Sequence, residues 1–320
     1  MALKLRTLLL QALVLGAVVA LAIYLINNTL DNLARQGIAT GFAYLGRQAS
    51  FEIGEKLIAY SATDSYARAL LVGLLNTIEI AVLACFFATV LGLIVGIARL
   101  SSNWLVRNLA GAYIEAIRNV PLLLQLFVWW NVMRVAPPPR QAWELLPNVF
   151  LSNRGLIFPV PSWEGGLHWD IPHLAGFNFA GGHAVTPEFA ALLAGLVVYT
   201  AAFIAEIVRA GIEGVPKGQF EAAGALGLKS WQTLRLVILP QARRIILPPL
   251  IGEYQALTKN SSLAVAIGFP DLMSITNTTL NQTGQAIEAI ALMMAVYLTL
   301  SLTTAAGLNW YNARTALVER

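Results

Sequence analysis

The run Leu257-Thr-Lys-Asn-Ser-Ser-Leu263 packs an ammonium, an amide and three hydroxyls into about two helical turns of an otherwise apolar stretch. Such a helix cannot face lipid and lines either a subunit interface or a watery cavity, and in a cavity Lys259 with the hydroxyls of Thr258, Ser261 and Ser262 suits a ligand carboxylate and Asn260 a second polar group. Two further patterns carry charge through apolar surroundings, Glu115-Ala-Ile-Arg118 and Glu206-Ile-Val-Arg209. The i,i+3 spacing puts each Glu and Arg on one helical face, as an internal ion pair or an interfacial pair. Glu79 stands alone among apolar neighbours, and Glu253 is a further acid in such a stretch. The three histidines, His168, His173 and His183, with Asp170, invite a zinc reading, but their spacings in a Gly/Pro-rich segment fit a solvated loop better.

These groups stand out because an ionised side chain at the bilayer centre costs about 2.5 to 3.5 kcal/mol on insertion scales. The chain is built for such a setting. Of its 320 residues, 57% are hydrophobic and 12% charged, against roughly 25% charged in an ordinary soluble domain, which excludes a soluble or disordered protein. Six apolar stretches are expected to span: Leu8 to Ile26, Leu70 to Ile97, Leu109 to Val135, Phe189 to Ile212, Ile245 to Phe269 and Ala286 to Leu308. Each approaches the length needed to cross a core about 30 Å thick at about 1.5 Å per residue. The runs are continuous rather than alternating, which excludes a transmembrane β-barrel. The fifth carries Pro248 and Pro249, expected to kink it and free backbone carbonyls. The first lacks a small-residue cleavage site and reads as a retained anchor rather than a signal peptide. A single cysteine, Cys85, excludes an intrachain disulfide.

Six spans with the N-terminus inside put Lys4, Arg6, Arg99, Arg107, Lys217, Lys229, Arg235, Arg243, Arg244, Arg314 and Arg320 on the inner side. The outer segment Asp271 to Gln285 has no Lys or Arg, so the positive-inside rule supports cytoplasmic N- and C-termini. The organisation expected is an inner tail and anchor (1–28), a periplasmic segment (29–67), a transmembrane domain (68–314) and a cytoplasmic tail (315–320). That domain includes an outer loop (136–187) and a cytoplasmic loop (213–244).

The cytoplasmic loop is the most informative segment. Gly214, Pro216 and Gly218 break the incoming helix. A short small-residue helix is expected from Gln219, ended by a left-handed Gly227. A second starts near Ser230 as N-cap and ends at Pro240. Such a helical hairpin, with Ala222, Ala223 and Gly224 allowing close backbone approach, suits docking in a partner's groove, or is a plain amphipathic linker. The Gly224 to Ser230 stretch is not a phosphate loop, because Leu228 separates Gly from Lys229 and no strand precedes it.

Glu221-Ala222-Ala223, Gly227 and Val237-Ile-Leu239-Pro240 match the EAA motif of ABC importer permeases, with Val237 in place of Ile. Tyr113 to Gln125, Tyr199 to Gly211 and Leu257 to Leu263 resemble the polar amino-acid permeases of the histidine/glutamate/glutamine type, and Asn277 to Gly284 resembles the general L-amino-acid subgroup. Across roughly residues 68–314 the resemblance implies an all-α membrane protein with the type I ABC importer fold, five core spans preceded by an anchor helix. It implies a second permease subunit, a paralogue rather than a copy. It also implies an ABC ATPase dimer seated on the EAA loops, which carries the ATP and Mg, and a periplasmic binding protein that delivers polar L-amino acids. This chain would itself be no enzyme, would hold no cofactor and would bind no nucleic acid. Glu221, Ala222, Ala223, Gly227, Leu239 and Pro240 would couple to the ATPases. Lys259, Asn260, Ser261, Ser262, Asn119 and Gln125 would form the transient substrate site. Trp143, Trp163 and Trp169 would contact the binding protein. In place of segment 136–186 the subgroup leads one to expect a longer insert with hydrophobic helices. The rival reading is an ion-coupled transporter or channel using Glu79, Glu206 and Glu253, against which stands the lack of a convincing internal repeat.

Overall fold

A computed structural model describes residues 2–37, 40–163 and 166–315. The inner marker Arg320 and all but the first residue of the expected tail 315–320 lie outside the described residues. Helix α1 (Ala2–Arg35) leads into an irregular segment with one 3-10 turn (Phe42–Gly46). Then come α2 (Tyr66–Arg99), α3 (Trp104–Arg118) and α4 (Leu122–Val135). Eight short strands occupy residues 143–185, followed by α5 (Pro187–Glu213), α6 (Lys217–Ala225) and α7 (Ser230–Thr233). A π-helical turn (Leu234–Ile238) joins α7 to α8 (Leu239–Asn260), which passes into a 3-10 helix (Ser261–Ile267) before α9 (Leu272–Thr283) and α10 (Ala286–Thr315).

Among the described residues, four helices are long and apolar enough to cross a membrane: α1, α2, α5 and α10. The apolar window of α1 is not buried against the rest of the described chain. The third apolar stretch is not one continuous helix: α3 and α4 meet at Asn119-Val120-Pro121. Proline lacks an N–H and pushes the residue before it out of the helical region. In the fifth stretch the helix is not interrupted at the prolines. Helix α8 runs continuously through Pro248 and Pro249, and its change of winding comes at Ser261. There the Ser261 and Ser262 hydroxyls donate to the carbonyls of Thr258 (2.8 Å) and Lys259 (2.7 Å), three residues back, which suits a 3-10 turn.

Helices α2 and α5 form the centre of the core. Every fourth residue of α2, Ala84, Ala88, Gly92 and Gly96, is small and buried. A Cβ on Gly92 would stand 2.6 Å from Ile204 Cγ2, and one on Gly96 would stand 2.8 Å from the Ala205 carbonyl. Only glycine admits this approach, the usual device of helix pairs in membranes, where lipid offers no hydrophobic drive. The contacts also fix the register. Gly92 meets Ile204 and Gly96 meets Val208, so the two helices run parallel, and the start of α5 lies level with about Asn76 of α2.

The first turns of α2 therefore extend past the N-terminal end of α5, accompanied by α9 and the start of α10. Segment 40–65 wraps this extension. Tyr44, Ile53, Tyr60 and Tyr66 pack with Leu272 and Ile275 in a second apolar cluster. Its seams are polar: Gly41 N–H donates to Glu288 (2.7 Å), Tyr66 to Gln282 (2.8 Å), and Asn76 to the carbonyls of Glu55 and Pro270 (2.8 and 2.9 Å).

Segment 136–186, read from sequence as a solvated loop, is a set of hairpins. β1 (Trp143–Leu146), β2 (Val149–Ser152), β3 (Gly155–Phe158) and β8 (His183–Val185) form one antiparallel sheet. β4 (Val160–Ser162) pairs with β5 (His168–Asp170), and β6 (His173–Ala175) with β7 (Asn178–Ala180). The turns use residues that accept a left-handed backbone, Asn148 (φ 63°) between β1 and β2 and Gly176 (φ 66°) between β6 and β7.

Candidate functional site

Two features bear on function, a helical hairpin at the N-terminal end of α8 and a polar stripe near its C-terminal end.

At the N-terminal end, α6 and α7 form the helical hairpin. The expected end of α6 is present: Gly227 has φ 73°, its N–H donates to the Gly224 carbonyl (2.9 Å), and Leu228 N–H donates to the Ala223 carbonyl (3.1 Å). This pair of bonds is the Schellman closure of a helix C-terminus. Two details differ from the sequence reading. Lys229, not Ser230, is the N-cap of α7, with the Gln232 side chain accepting its N–H at 2.9 Å. Pro240 does not end the second helix, which continues through the π-turn into α8. A π-turn pairs donors with carbonyls five residues back, so the widened turn before Pro240 relieves the clash a proline makes with the carbonyl at i−4.

The hairpin has a seated face and an open one. Ala223 is buried, and Val215, Ile238 and Ala242 form a small core that ties the hairpin to α5 and α8. Gln241 donates to Gln219 (3.1 Å), stitching α6 to the start of α8. Glu221, Ala222, Gly227, Leu239 and Pro240 are exposed. So are Phe220, Trp231 and Leu226, the last at 81%. Exposed aromatic and aliphatic side chains around a rigid turn are what a protein interface buries.

The polar stripe of α8 is sorted by the structure into groups that are spent and groups that are open. Thr258 donates to the Tyr254 carbonyl (2.9 Å), while Ser261 and Ser262 make the back-bonds described above. Ser261 is wholly buried. Lys259 is exposed and Asn260 partly buried, and neither side chain makes a hydrogen bond or ion pair among the described residues. Glu253, half-buried one and a half turns earlier, lies within electrostatic reach of Arg118.

Gln125 takes a different place from the one its sequence position suggests. Its Nε2 donates to the carbonyls of Ile117 (2.8 Å) and Val120 (2.9 Å), bridging the break between α3 and α4, and its Oε1 is buried without a partner. Asn119 is exposed at the C-cap of α3. Of the two Glu-x-x-Arg patterns, one forms an ion pair: Arg209 pairs with Glu206 and also with Glu213. Glu115 and Arg118 are not joined by an ion pair among the described residues. Arg118 ends α3 and lies over the Phe203 ring of α5, 4.9 Å from its centroid. The histidines fall on separate sheets, with His168 on β5, His173 on β6 and His183 on β8. Among the described residues no group of three or more His, Cys, Asp or Glu side chains comes together.

Sequence reasoning missed one group near the stripe. Asp271, wholly buried, caps α9 by accepting the Ser274 N–H (2.8 Å) and accepts the Tyr297 hydroxyl (3.2 Å). Thr77 accepts the Leu272 N–H (3.0 Å) beside it. Burial pushes the Asp271 carboxyl up to about 7, against the opposing pull of these hydrogen bonds. The sequence signal was the N-cap pattern Asp271-Leu-Met-Ser274 after Gly268-Phe-Pro270.

Residues 88–316 match the family profile described as binding-protein-dependent transport system inner membrane component. The putative amino-acid ABC transporter permease YhdX of Escherichia coli K12 is 46% identical, covering 98% of this chain and 95% of its own length. The general L-amino acid transport system permease AapQ of Rhizobium johnstonii is 44% identical, covering 99% and 94%. Those alignments extend over 374 and 375 positions against 320 residues here, so both relatives carry residues that this chain lacks. A solved amino acid ABC transporter crystallised with histidines superposes with a TM-score of 0.58 at 28% identity, covering 78% of this chain and 95% of that one. The MetNI methionine ABC transporter in an inward-facing conformation shares the fold, with a TM-score of 0.57 at 18% identity.

Proposed function

Because the chain belongs to the family of binding-protein-dependent transport inner membrane components, we propose that it is a permease subunit of an ATP-driven importer moving polar L-amino acids across the bacterial cytoplasmic membrane. The observation that carries the reading is the α6–α7 hairpin, closed by Gly227, tied to two long helices and presenting an unpartnered apolar face. An ABC ATPase dimer, one subunit on each permease, would bury that face. Its closure would move α5 and α8 as rigid bodies, since Gln241 and the small inner core join the hairpin to both.

On this reading α1, α2, the α3–α4 pair, α5, α8 and α10 make six crossings, with both termini cytoplasmic. The second permease subunit is a paralogue that covers the open side of α8. Lys259 and Asn260 are the primary substrate contacts, because their polar atoms are uncommitted. Ser262 adds an acceptor, since a hydroxyl that donates to a backbone carbonyl keeps its lone pairs. Asn119 is exposed and can reach a ligand, whereas Ser261 and Gln125 shape the site from behind. The periplasmic binding protein docks on the hairpins of segment 136–187, where Trp143, Trp163 and Trp169 are exposed.

Reconstitution tests the reading. The permease pair with its ATPases and binding protein, in proteoliposomes, should take up amino acid only with ATP inside the ATPase compartment, and Lys259→Met should raise the apparent KM more than tenfold. Uptake on an ion gradient by the permease alone would overturn the assignment.

A further inference from the structure

A cavity of about 680 Å³ opens between α2, α4, α5 and the four-stranded sheet, and the mechanism above makes no use of it. Its size lies within the range of small-molecule sites, roughly 300 to 1,000 Å³. Leu83 and Phe87 of α2, Leu193 and Val197 of α5, and the undersides of β2 and β3 make its walls apolar. The titratable groups in its lining are Glu79 of α2 and His183 of β8. Glu79 is partly buried and makes no hydrogen bond or ion pair among the described residues, although His183 lies within electrostatic reach.

The helix register sets the depth. With Gly92 opposite Ile204, Glu79 stands level with about Ala191, roughly 6 Å inside the start of α5 at about 1.5 Å per residue. Leu83 and Phe87 follow at i+4 and i+8, so an apolar wall descends a further 12 Å or so towards the bilayer centre. A carboxylate about one turn past the start of α5, with a hydrocarbon-lined slot beyond it, has the shape and charge pattern of an amphiphile's complement. An anionic amphiphile is disfavoured, because Glu55 adds a second carboxylate within electrostatic reach of Glu79. An uncharged one would leave the half-buried carboxylate without a counter-ion, which costs more than burying it paired.

We propose that the cavity is a binding site for an outer-leaflet phospholipid with a primary ammonium headgroup. The ammonium would pair with Glu79 and one acyl chain would run past Leu83 and Phe87 against Leu193 and Val197. His183, at the mouth, offers a ring N–H at the level of the phosphate.

The test uses the complete transporter complex, extracted in mild detergent, equilibrated with vesicles of phosphatidylethanolamine and phosphatidylglycerol in equal amounts and analysed by native mass spectrometry. The wild-type complex should retain phosphatidylethanolamine in preference. Glu79→Gln, nearly isosteric, should lower that preference about tenfold, as for loss of one charge-assisted hydrogen bond. Glu79→Lys should invert it. Leu193→Trp should displace the lipid altogether, with unchanged thermal unfolding of the complex showing that the fold survives. An unchanged preference in Glu79→Gln would overturn the proposal, as would retention of phosphatidylglycerol by the wild type. Efficient cross-linking of the Leu193→Cys variant to the second permease subunit would overturn it too, because the cavity would then be filled by protein.

Discussion

Gly227 offers a clean perturbation of the coupling hairpin because two effects usually confounded are separate there. A Cβ built on it meets no atom within 4 Å, so a side chain is not excluded by space within this chain. The backbone, at φ 73°, lies where L-residues pay a conformational penalty of about 1 to 2 kcal/mol, and β-branched residues more. If Gly227→Val abandons that conformation it forfeits the two closing bonds, from Gly227 N–H to Gly224 and Leu228 N–H to Ala223, at about 0.5 to 1.5 kcal/mol each. Either way the hairpin should be disfavoured by about 2 kcal/mol, a drop of roughly thirtyfold in the ratio of closed to opened turn. ATP-driven uptake in proteoliposomes should fall correspondingly, while membrane insertion and the thermal midpoint change little, since the turn is exposed. Asparagine tolerates the left-handed region, so Gly227→Asn should keep most of the activity. Normal uptake by Gly227→Val would refute the coupling role. Equal damage from Asn and Val would refute the conformational argument and point to a steric limit in the ATPase groove.

Three further outcomes follow from the packing. Gly92→Val drives a side chain into Ile204 at 2.6 Å and should cost about 1 to 3 kcal/mol of stability, lowering the melting temperature in detergent, whereas Gly252→Ala, with open space around it, should not. The Asp271 carboxyl, raised from 3.8 to about 7, binds its proton more tightly folded than unfolded, so its contribution to stability should be full below about pH 4 and decline until about pH 7. Thermal midpoints at pH 5 and pH 8 should differ by the equivalent of about 2 to 3 kcal/mol in the wild type and scarcely at all in Asp271→Asn; a wild-type protein that is steadier at pH 8 would contradict this. Gln125→Leu removes the side-chain donor to the Ile117 and Val120 carbonyls, of which Ile117 keeps the Val120 N–H (3.4 Å), and should destabilise by about 1 to 3 kcal/mol. Loss of uptake at unchanged stability would instead make Gln125 a substrate contact.

The features legible from sequence were those written within one or two helical turns. Hydropathy marked α1, α2, α5 and α10, because apolar length is a property of a continuous segment. Gly227 announced its left-handed turn because only glycine occupies that backbone region freely, and the EAA pattern around it carried the family. The insert 136–186 was within reach: Val149 to Leu151 and Leu156 to Phe158 are short apolar runs separated by Asn153-Arg-Gly155, a hairpin signal. Its Gly and Pro content masks those runs, since the same residues punctuate both hairpins and unstructured loops.

Partner choice is where tertiary structure decided. The pattern Glu115 to Arg118 is indistinguishable in spacing from Glu206 to Arg209, yet one Arg finds its Glu and the other finds Phe203, because α3 ends at Arg118 against α5. The hydroxyls of the α8 stripe looked equivalent until the 3-10 turn committed Ser261 and Ser262 to carbonyls, leaving Lys259 and Asn260 open. Thr77 and Leu272 are 195 residues apart and Gly41 and Glu288 are 247 apart, so no local pattern could have joined them. Sequence fixes how each segment meets water or lipid, since solvation acts residue by residue. Which polar atom is satisfied and which is left for a ligand depends on distances that exist only after distant helices have packed.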